Sequence, residues 1–141
     1  MSVLASETVS TVGGRDGRAT SADGKINHAI SPPGSNGPGT NPEQLFAAGY
    51  SACFGGAIGV AAGLAKVPLR GKDVKVTATV NLNQGEGGYF ISATLNADLP
   101  GVDQAKAEAL VAKAHTICPY SKATRGNIEV TLQANGKPVR L

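Results

Sequence analysis

The sequence predicts a single α+β domain, in which antiparallel strands pack on one long apolar helix and a second helix follows. Residues 45–65 form an uncharged, mostly apolar run. Short stretches of alternating apolar and polar residues lie on both sides of it, in the order strands, helix, hairpin, helix, strand, without an internal repeat. The chain has 141 residues, of which 41% are apolar, and this is enough for one buried core.

The N-terminal part is predicted to form a meander of two or three strands. Residues 3–12 are rich in Val and Thr and alternate loosely, and residues 25–30 are a second candidate strand. Glycine turns at 13–18 and 23–24 punctuate this part. The Pro/Gly segment 31–40 is a loop, too short to link two domains.

The long helix is predicted to start at residue 42 and to end near residue 65. Asn41 can cap it, Pro42 suits its first position, and Gln44 gives an arrangement like a capping box. Because the helix is apolar on every side, we expect it to be buried all round. We favour a buried helix over a membrane span because large aliphatic residues are few.

Glycines are frequent in this helix, and each lowers helix stability by about 1 kcal/mol relative to Ala. Glycines that lower helix stability in this way indicate that another backbone approaches closely. A tight helix–helix contact is the interpretation we favour. The residues concerned are Gly49, Gly55, Gly56, Gly59 and Gly63.

The C-terminal half is predicted to contain a hairpin, a helix and a last strand. Asp103 is expected to cap the helix, which covers 104–118 and ends there because Pro119 disfavours helical backbone at the residue before it. Ala107, Val111, Ala114 and Cys118 share one face of it. The strands are expected at 73–82 and 89–99, around a turn at 84–88, and at 127–134.

Charge and composition exclude some classes of function. The net charge is +3 and the 13 basic residues are scattered. The sequence has no basic stripe of the kind that predicts nucleic-acid binding. Residues 1–10 lack the pattern of a secretory signal, so we expect a cytoplasmic protein. In the cytoplasm thiols are kept reduced, and two cysteines are there more often catalytic than joined in a structural disulfide.

The two cysteines are Cys53, in the long helix, and Cys118, at the end of the second helix. If these helices pack together, the thiols could come within disulfide reach, but as isolated residues both are more often small core side chains. A zinc site that adds His28 and His115 fits no known ligand spacing. A Cys–His hydrolase built on Cys53 and His115 lacks a local nucleophile signature, and His115 is expected to interact with the last carbonyls of its helix.

A reactive Cys53 would need help from outside its own segment. Burial alone raises the pKa of a thiol, and positive charge or hydrogen-bond donors lower it. Arg15 and Arg18, in the glycine turn, are candidates, although both could equally be solvated turn residues. Glu43 is the only acid on the long helix, and its first-turn position, which complements the helix dipole, would explain it without a catalytic role.

Several segments resemble a known family. Residues 41–54 (NPEQLFAAGYSACF) closely resemble the peroxidatic-cysteine segment of the organic hydroperoxide resistance (Ohr) proteins, in the OsmC/Ohr family. Residues 114–130 (AHTICPYSKATRGNIEV) are similar to their resolving-cysteine segment, and residues 11–17 and 21–24 to their N-terminal hairpin. The resemblance covers nearly the whole chain in order, and CPYS at 118–121 looks more like the Ohr branch than the OsmC branch.

The resemblance implies an OsmC-like fold, an intertwined homodimer, and a thiol peroxidase that reduces organic and fatty-acid hydroperoxides to alcohols. Cys53 would attack the peroxide and become a sulfenic acid, and Cys118 would then form a disulfide with it. Arg15 would stabilise the Cys53 thiolate, and Glu43 would hold Arg15. Dihydrolipoyl groups on other proteins would reduce the disulfide. This cycle needs no metal and no other cofactor.

Phe46, Phe54 and Ile58 are expected to line an apolar substrate site. Residues 55–63 are poorer in bulky side chains than the resemblance leads us to expect, and this bears on the shape of that site. An OsmC-type peroxidase with broader peroxide use, and a non-enzymatic dimer that binds an acyl ligand, are the alternatives.

Glu43 and Cys53 lie about 15 Å apart along a regular helix, so Arg15 could not easily reach both. We therefore hypothesise that the Arg15–Glu43 pair or the thiol pocket is completed across the dimer, by antiparallel packing of the two glycine-rich helices.

Overall fold

The computed structural model describes every residue from Met1 to Leu141. The chain divides into two compact units, Met1–Leu45 and Phe46–Leu141, and each is described by itself. The single domain expected over residues 1–141 stays a prediction. Helix α1, Pro42–Leu64, begins in the first unit and continues into the second. Its bounds agree with those predicted from the sequence.

The Met1–Leu45 unit contains a three-stranded antiparallel sheet in the order β1-β2-β3, which confirms the meander. Residues 3–9, expected to be part of the first strand, form no strand and are exposed. Alternation of Val and Thr makes a strand only where a neighbouring strand takes up its backbone hydrogen bonds. The strands are β1 Ser10–Val12, β2 Gly17–Thr20 and β3 Asn27–Ile30.

The turn between β1 and β2 requires glycine. Gly13 and Gly14 have φ values of +92° and +59°, in the left-handed region that side chains with a Cβ rarely adopt. At Gly17 a Cβ would lie 1.8 Å from the carbonyl oxygen of Val12. These glycines leave Arg15 at the tip of the turn.

The N-terminus of α1 is capped as the sequence predicts, with one difference. Asn41 Oδ1 accepts a hydrogen bond of 2.9 Å from the backbone N–H of Gln44. The Gln44 side chain does not complete a capping box, because its Oε1 accepts a 2.7 Å hydrogen bond from the hydroxyl of Thr40.

The Phe46–Leu141 unit contains a four-stranded sheet in the order β4-β5-β6-β7. β4 and β5 form the predicted antiparallel hairpin, whereas β5 and β6 are parallel and depart from the antiparallel pairing expected for the strands. The parallel pair is possible because two helices lie between β5 and β6 in the chain. The strands are β4 Lys75–Gly85, β5 Gly88–Asp98, β6 Val130–Ala134 and β7 Lys137–Pro138.

The second predicted helix, 104–118, is confirmed and is followed directly by a third helix. α2, Gln104–Ile117, starts at Asp103, whose carboxylate accepts a 3.1 Å hydrogen bond from the N–H of Lys106. The predicted end of α2 is confirmed, whereas α3, Pro119–Thr124, was not predicted. Proline ends one helix and is also favourable at the first position of the next.

The core of this unit lies between the sheet and the helices. In the second half of β5 every second residue is buried (Ala93, Leu95 and Ala97), which is the pattern of a strand with one face in the core. The face of α2 predicted from its spacing is buried, together with one face of α1. The fully buried large side chains are Tyr50, Phe54, Ile58, Leu95, Leu99, Val111, Cys118 and Ser121.

Helix α1 is not buried all round by the residues of its own chain, although the sequence predicted that it would be. By length and composition alone it could span a membrane, and its buried residues contribute to the core. A row of apolar residues at four-residue spacing, here called the α1 stripe, is exposed. The stripe consists of Ala48, Ala52, Gly56, Val60 and Leu64. Uniform apolarity in a sequence does not show which face meets the chain's own core.

The close backbone contact of α1 involves a short 3-10 helix, Gly71–Asp73, instead of the α-helix that we expected. A Cβ at Gly59 would lie 2.8 Å from the backbone nitrogen of Gly71. At Gly63 a Cβ would meet no atom within 4 Å. The glycines of α1 are therefore not all required for the same reason. Only some of them leave space for another part of the chain.

We predict that Gly59→Ala lowers the free energy of unfolding by about 1–3 kcal/mol, because the new methyl group would overlap backbone that cannot rotate away. Gly63→Ala is the matched control and should leave stability unchanged or raise it by up to about 1 kcal/mol. Urea unfolding followed by circular dichroism measures both. Equal stability of the two variants would contradict the importance of the Gly59–Gly71 contact.

Candidate active site

The two cysteines lie side by side in the Phe46–Leu141 unit. Cys53 Sγ and Cys118 Sγ are 3.3 Å apart, and both are free thiols. A disulfide bond is about 2.0 Å long, so a small shift would join them. Cys53 is partly exposed, whereas Cys118 is only 1% exposed. A reagent from solvent can therefore reach the pair only through Cys53.

The break between α2 and α3, here called the elbow (residues 117–119), positions Cys118. The backbone of Cys118 is extended, with φ −63° and ψ 122°, which is the conformation that a residue before proline prefers. The Cys118 N–H donates to the carbonyl of Ala114 at 2.9 Å, and its own carbonyl accepts from the N–H of Lys122 at 3.0 Å. Cys118 is thus held by both helices.

The surroundings of Cys53 within this unit favour the neutral thiol. Burial raises the pKa of Cys53, while the backbone N–H of Tyr120 acts in the opposite direction and Cys118 raises the pKa further. No cation of residues 46–141 contributes to lowering it. A reactive thiolate at Cys53 therefore needs positive charge or hydrogen-bond donors beyond the N–H of Tyr120.

Arg15 and Glu43 form a two-pronged ion pair in the Met1–Leu45 unit. Arg15 Nη1 and Nη2 donate to the two carboxylate oxygens of Glu43 at 3.1 and 2.9 Å. The hydrogen bonds from Arg15 lower the pKa of Glu43 below its usual value. The pair forms within one chain, so it needs no second subunit, and completion of the thiol pocket across a dimer stays a prediction.

Arg18, the other candidate cation, has a different environment. It lies on β2, where its Nη1 donates a 2.6 Å hydrogen bond to Asn27 Oδ1 on β3. Of these two arginines only Arg15 is paired with a carboxylate, and a carboxylate can fix the planar guanidinium in one orientation.

An aromatic cluster lies beside the thiols. Phe46, Tyr50 and Phe54 on α1 pack in edge-to-face contacts, and Tyr120 on α3 lies 5.7 Å from Tyr50 and 6.1 Å from Phe46, measured between ring centroids. Gly49 makes room for this contact, since a Cβ there would lie 2.7 Å from the Tyr120 hydroxyl. Tyr120 was missed, although its place two residues after Cys118 was a signal for it.

The structure separates the three expected substrate-binding residues. Phe46 is half-buried and borders Tyr120, which is itself 39% exposed. Phe54 and Ile58 have no exposed surface and belong to the core. Direct contact of Phe54 or Ile58 with substrate does not fit this placement, because a side chain without exposed surface cannot touch a ligand.

His115 is a buried residue of α2, and the prediction that its side chain interacts with the last carbonyls of the helix was wrong. Its Nδ1 has no hydrogen-bond partner, and the backbone carbonyl of His115 accepts a 2.8 Å hydrogen bond from Arg125. Burial, followed by the charge of Arg125, lowers the pKa of His115. The helix-end contact is therefore made by Arg125 and not by the imidazole. The other histidine, His28, lies on β3 in the Met1–Leu45 unit.

Comparison with known proteins gives consistent matches. The family model described as OsmC-like protein matches residues 34–133. The organic hydroperoxide resistance protein of Xanthomonas axonopodis pv. citri is 48% identical over 134 residues, which cover 92% of this chain and 94% of that protein. The organic hydroperoxide resistance protein OhrA of Bacillus subtilis is 44% identical over 137 residues, with 92% and 95% of the two chains covered.

A solved structure shares the fold closely. The crystal structure of the organic hydroperoxide resistance protein OhrB of Bacillus subtilis matches with a TM-score of 0.87 and 43% sequence identity. The match covers 94% of this chain and 99% of that chain. The α+β fold expected from the sequence is confirmed.

We predict that stability decreases as the pH falls below about 6.5, the usual histidine pKa in unfolded chains. Because the folded state holds the pKa of His115 below its ordinary value, the unfolded chain binds the proton more readily, and protonation favours unfolding. Urea unfolding between about pH 7.5 and pH 5 should show this slope.

The slope should shrink in His115→Gln and persist in His28→Gln, which changes an exposed histidine. Glu43 and Asp23, whose pKa values are lowered by hydrogen bonds from Arg15 and from Ser21, titrate at more acidic pH. An unchanged slope in His115→Gln would show that another group is responsible.

Proposed function

This chain belongs to the OsmC/Ohr family, and on that premise we propose that it reduces organic hydroperoxides, including those of fatty acids, to alcohols with two thiols. Cys53 is the attacking thiol and Cys118 the resolving thiol. The observation that carries the proposal is the 3.3 Å contact between the two sulfur atoms, one partly exposed and one buried. Relatives that share most of this chain are named for resistance to organic hydroperoxides.

The first step is a displacement at oxygen. The Cys53 thiolate attacks the outer oxygen of the peroxide, a sulfur–oxygen bond forms, and the oxygen–oxygen bond breaks. The remaining alkoxide takes up a proton and leaves as the alcohol. Cys53 is then a sulfenic acid, so sulfur has been oxidised and the peroxide reduced.

The second step joins the two cysteines. Cys118 Sγ attacks Cys53 Sγ, the sulfur–sulfur bond forms, and the hydroxyl group of the sulfenic acid leaves as water with the thiol proton. The thiols already lie in contact in the reduced chain, which supports this assignment. A dihydrolipoyl group of another protein is the proposed reductant that returns the disulfide to two thiols.

Arg15 is proposed to stabilise the Cys53 thiolate, with Glu43 fixing the orientation of Arg15. The proposal is supported by two facts. Burial raises the pKa of Cys53, so a thiolate there calls for a nearby cation, and of the two candidate arginines Arg15 is the one paired with a carboxylate. A paired guanidinium loses less freedom when it binds a further anion.

An apolar entrance beside Cys53 would favour hydroperoxides with hydrophobic chains. Phe46 and Tyr120 are the aromatic residues of the cluster that keep exposed surface. They are therefore better candidates for substrate contact than Phe54 and Ile58, which support the cluster from the core.

The proposed assembly is a homodimer in the cytoplasm. The α1 stripe is an exposed apolar row, and Gly56, at its centre, has open space where a Cβ would stand. Such a face is usually covered by another protein surface. Antiparallel packing of two copies of α1 would cover it.

We predict rapid turnover of tert-butyl hydroperoxide by the purified protein with dihydrolipoamide as electron donor. Cys53→Ser should lose the activity. With one equivalent of peroxide and no dihydrolipoamide, Cys118→Ser should release about one alcohol per chain and stop at the sulfenic acid, because no resolving thiol is present. Alcohol release and thiol content, measured together, follow both steps. No turnover by fully reduced unmutated protein would favour a non-enzymatic ligand-binding dimer.

We also predict that Arg15→Ala raises the pKa of Cys53 and slows its alkylation by iodoacetamide at pH 7 about tenfold or more. Cys118 is buried, so alkylation reports on Cys53. Arg18→Ala removes the same charge from the neighbouring strand and should have little effect. Equal alkylation rates in both variants, over the whole pH range, would remove Arg15 from the proposed mechanism.

A further inference from the structure

Three hydroxyl groups meet in the core one helical turn from the thiol pair. Tyr50 Oη lies 2.8 Å from Ser121 Oγ and 3.1 Å from Thr124 Oγ1. Tyr50 and Ser121 have no exposed surface, and Thr124 is 6% exposed. The proposed chemical steps use none of these groups, and none of them can touch a substrate from inside the core. Their contacts with one another therefore need a separate explanation.

The direction of the hydrogen bonds follows from counting protons. Each hydroxyl has one proton to donate. Thr124 Oγ1 donates its proton to the backbone carbonyl of Ser121 at 3.2 Å, so it can only accept from Tyr50. Tyr50 has then used its proton on Thr124 and accepts from Ser121 Oγ. The result is a closed chain that starts and ends on Ser121, in which each bond strengthens the next.

This hydroxyl chain ties together the same two elements that carry the thiols. Tyr50 precedes Cys53 by three residues on α1, and Ser121, on α3, follows Cys118, the N-cap of that helix, by three residues. Residues three apart lie on the same side of a helix. The Tyr50–Ser121 contact is therefore the next contact after Cys53–Cys118 along a pair of helices that run past each other in opposite directions.

We propose that the hydroxyl chain is a positioning device, which keeps Cys118 at reacting distance from Cys53 and so decides the fate of the Cys53 sulfenic acid. Tyr50, Ser121 and Thr124 are positioning residues in this sense. The inference rests on the proposed function. The hydroxyl chain would explain why the oxidised enzyme forms its disulfide before a second peroxide oxidises Cys53 further.

Two reactions compete for the sulfenic acid. In one, Cys118 Sγ displaces the hydroxyl group as water and the disulfide forms. In the other, a second peroxide molecule oxidises the same sulfur to sulfinic acid and leaves as a second alcohol, an outcome that thiols do not reverse. Only the first reaction depends on the position of the elbow. A looser elbow should therefore shift the balance toward sulfinic acid without changing the first attack.

The test is Tyr50→Phe in the full-length protein, which removes one hydroxyl group and keeps the ring. Reduced protein is mixed with increasing excess of tert-butyl hydroperoxide, and disulfide and sulfinic acid are counted by intact mass spectrometry. We expect the rate of disulfide formation to fall about fivefold or more. Loss of one buried hydrogen bond lowers by about this factor the fraction of molecules in which Cys118 is held against Cys53. The sulfinic fraction should rise accordingly, while the first burst of alcohol stays the same.

Two controls separate positioning from general damage. Tyr89→Phe removes a hydroxyl group from a tyrosine on β5 that is 74% exposed, and it should behave like the unmutated protein. Thr124→Val should reproduce the effect of Tyr50→Phe, whereas Thr124→Ser, which keeps the hydroxyl group, should restore the normal ratio. If Tyr50→Phe does not fold, the Thr124 pair decides the question.

The outcomes are distinct. A folded Tyr50→Phe or Thr124→Val variant with a normal ratio of disulfide to sulfinic acid overturns the positioning role, while the proposed peroxidase stands. Loss of the first alcohol burst in these variants also overturns it, because the effect would then lie at Cys53 itself. If unmutated protein releases no alcohol and forms no disulfide, the proposed function fails, and this inference fails with it.

Discussion

The chemistry available to this protein depends on one contact between helices, the approach of α1 to the elbow at Cys118. Cys53 lies in the middle of α1, and Cys118 stands where α2 ends and α3 begins. Pro119 creates that break because it ends one helix and starts another. A continuous helix through residue 118 would leave no bend at this point, and the thiol would follow the helix surface instead of standing between two helix ends.

Close approach of these elements requires small residues at specific points. Gly49 leaves the space that the Tyr120 hydroxyl occupies, and Gly59 lets α1 touch the backbone of Gly71. Ala93 and Ala97 on β5 are buried with little volume, which keeps the sheet close to the helices. The helix tolerates its glycines because packing, more than local propensity, stabilises a buried helix.

Features that depend on a few neighbouring residues could be predicted from the sequence, and features that depend on distant ones could not. Caps at Asn41 and Asp103, the bounds of α1 and the β4–β5 hairpin all follow from local signals. The parallel pairing of β5 with β6 arises only after the chain has folded back over two helices. The burial of His115 is also decided by distant elements, so its spacing near a helix end was misleading. The pairing of Arg15 with Glu43 and of Cys53 with Cys118 was predicted only from the resemblance to a family. The structure supplies the distances within each pair.

The unequal exposure of the two thiols has a consequence for how the oxidised protein would be reset. An incoming dithiol meets the sulfur of Cys53 first, because Cys118 lies in the core. The mixed disulfide would therefore form on Cys53, and Cys118 would be the leaving group. Departure of a thiolate into an apolar site is slow unless it is protonated at once. Under the proposed mechanism regeneration would thus be regioselective, and the asymmetry that directs the oxidant to Cys53 would also direct the reductant there.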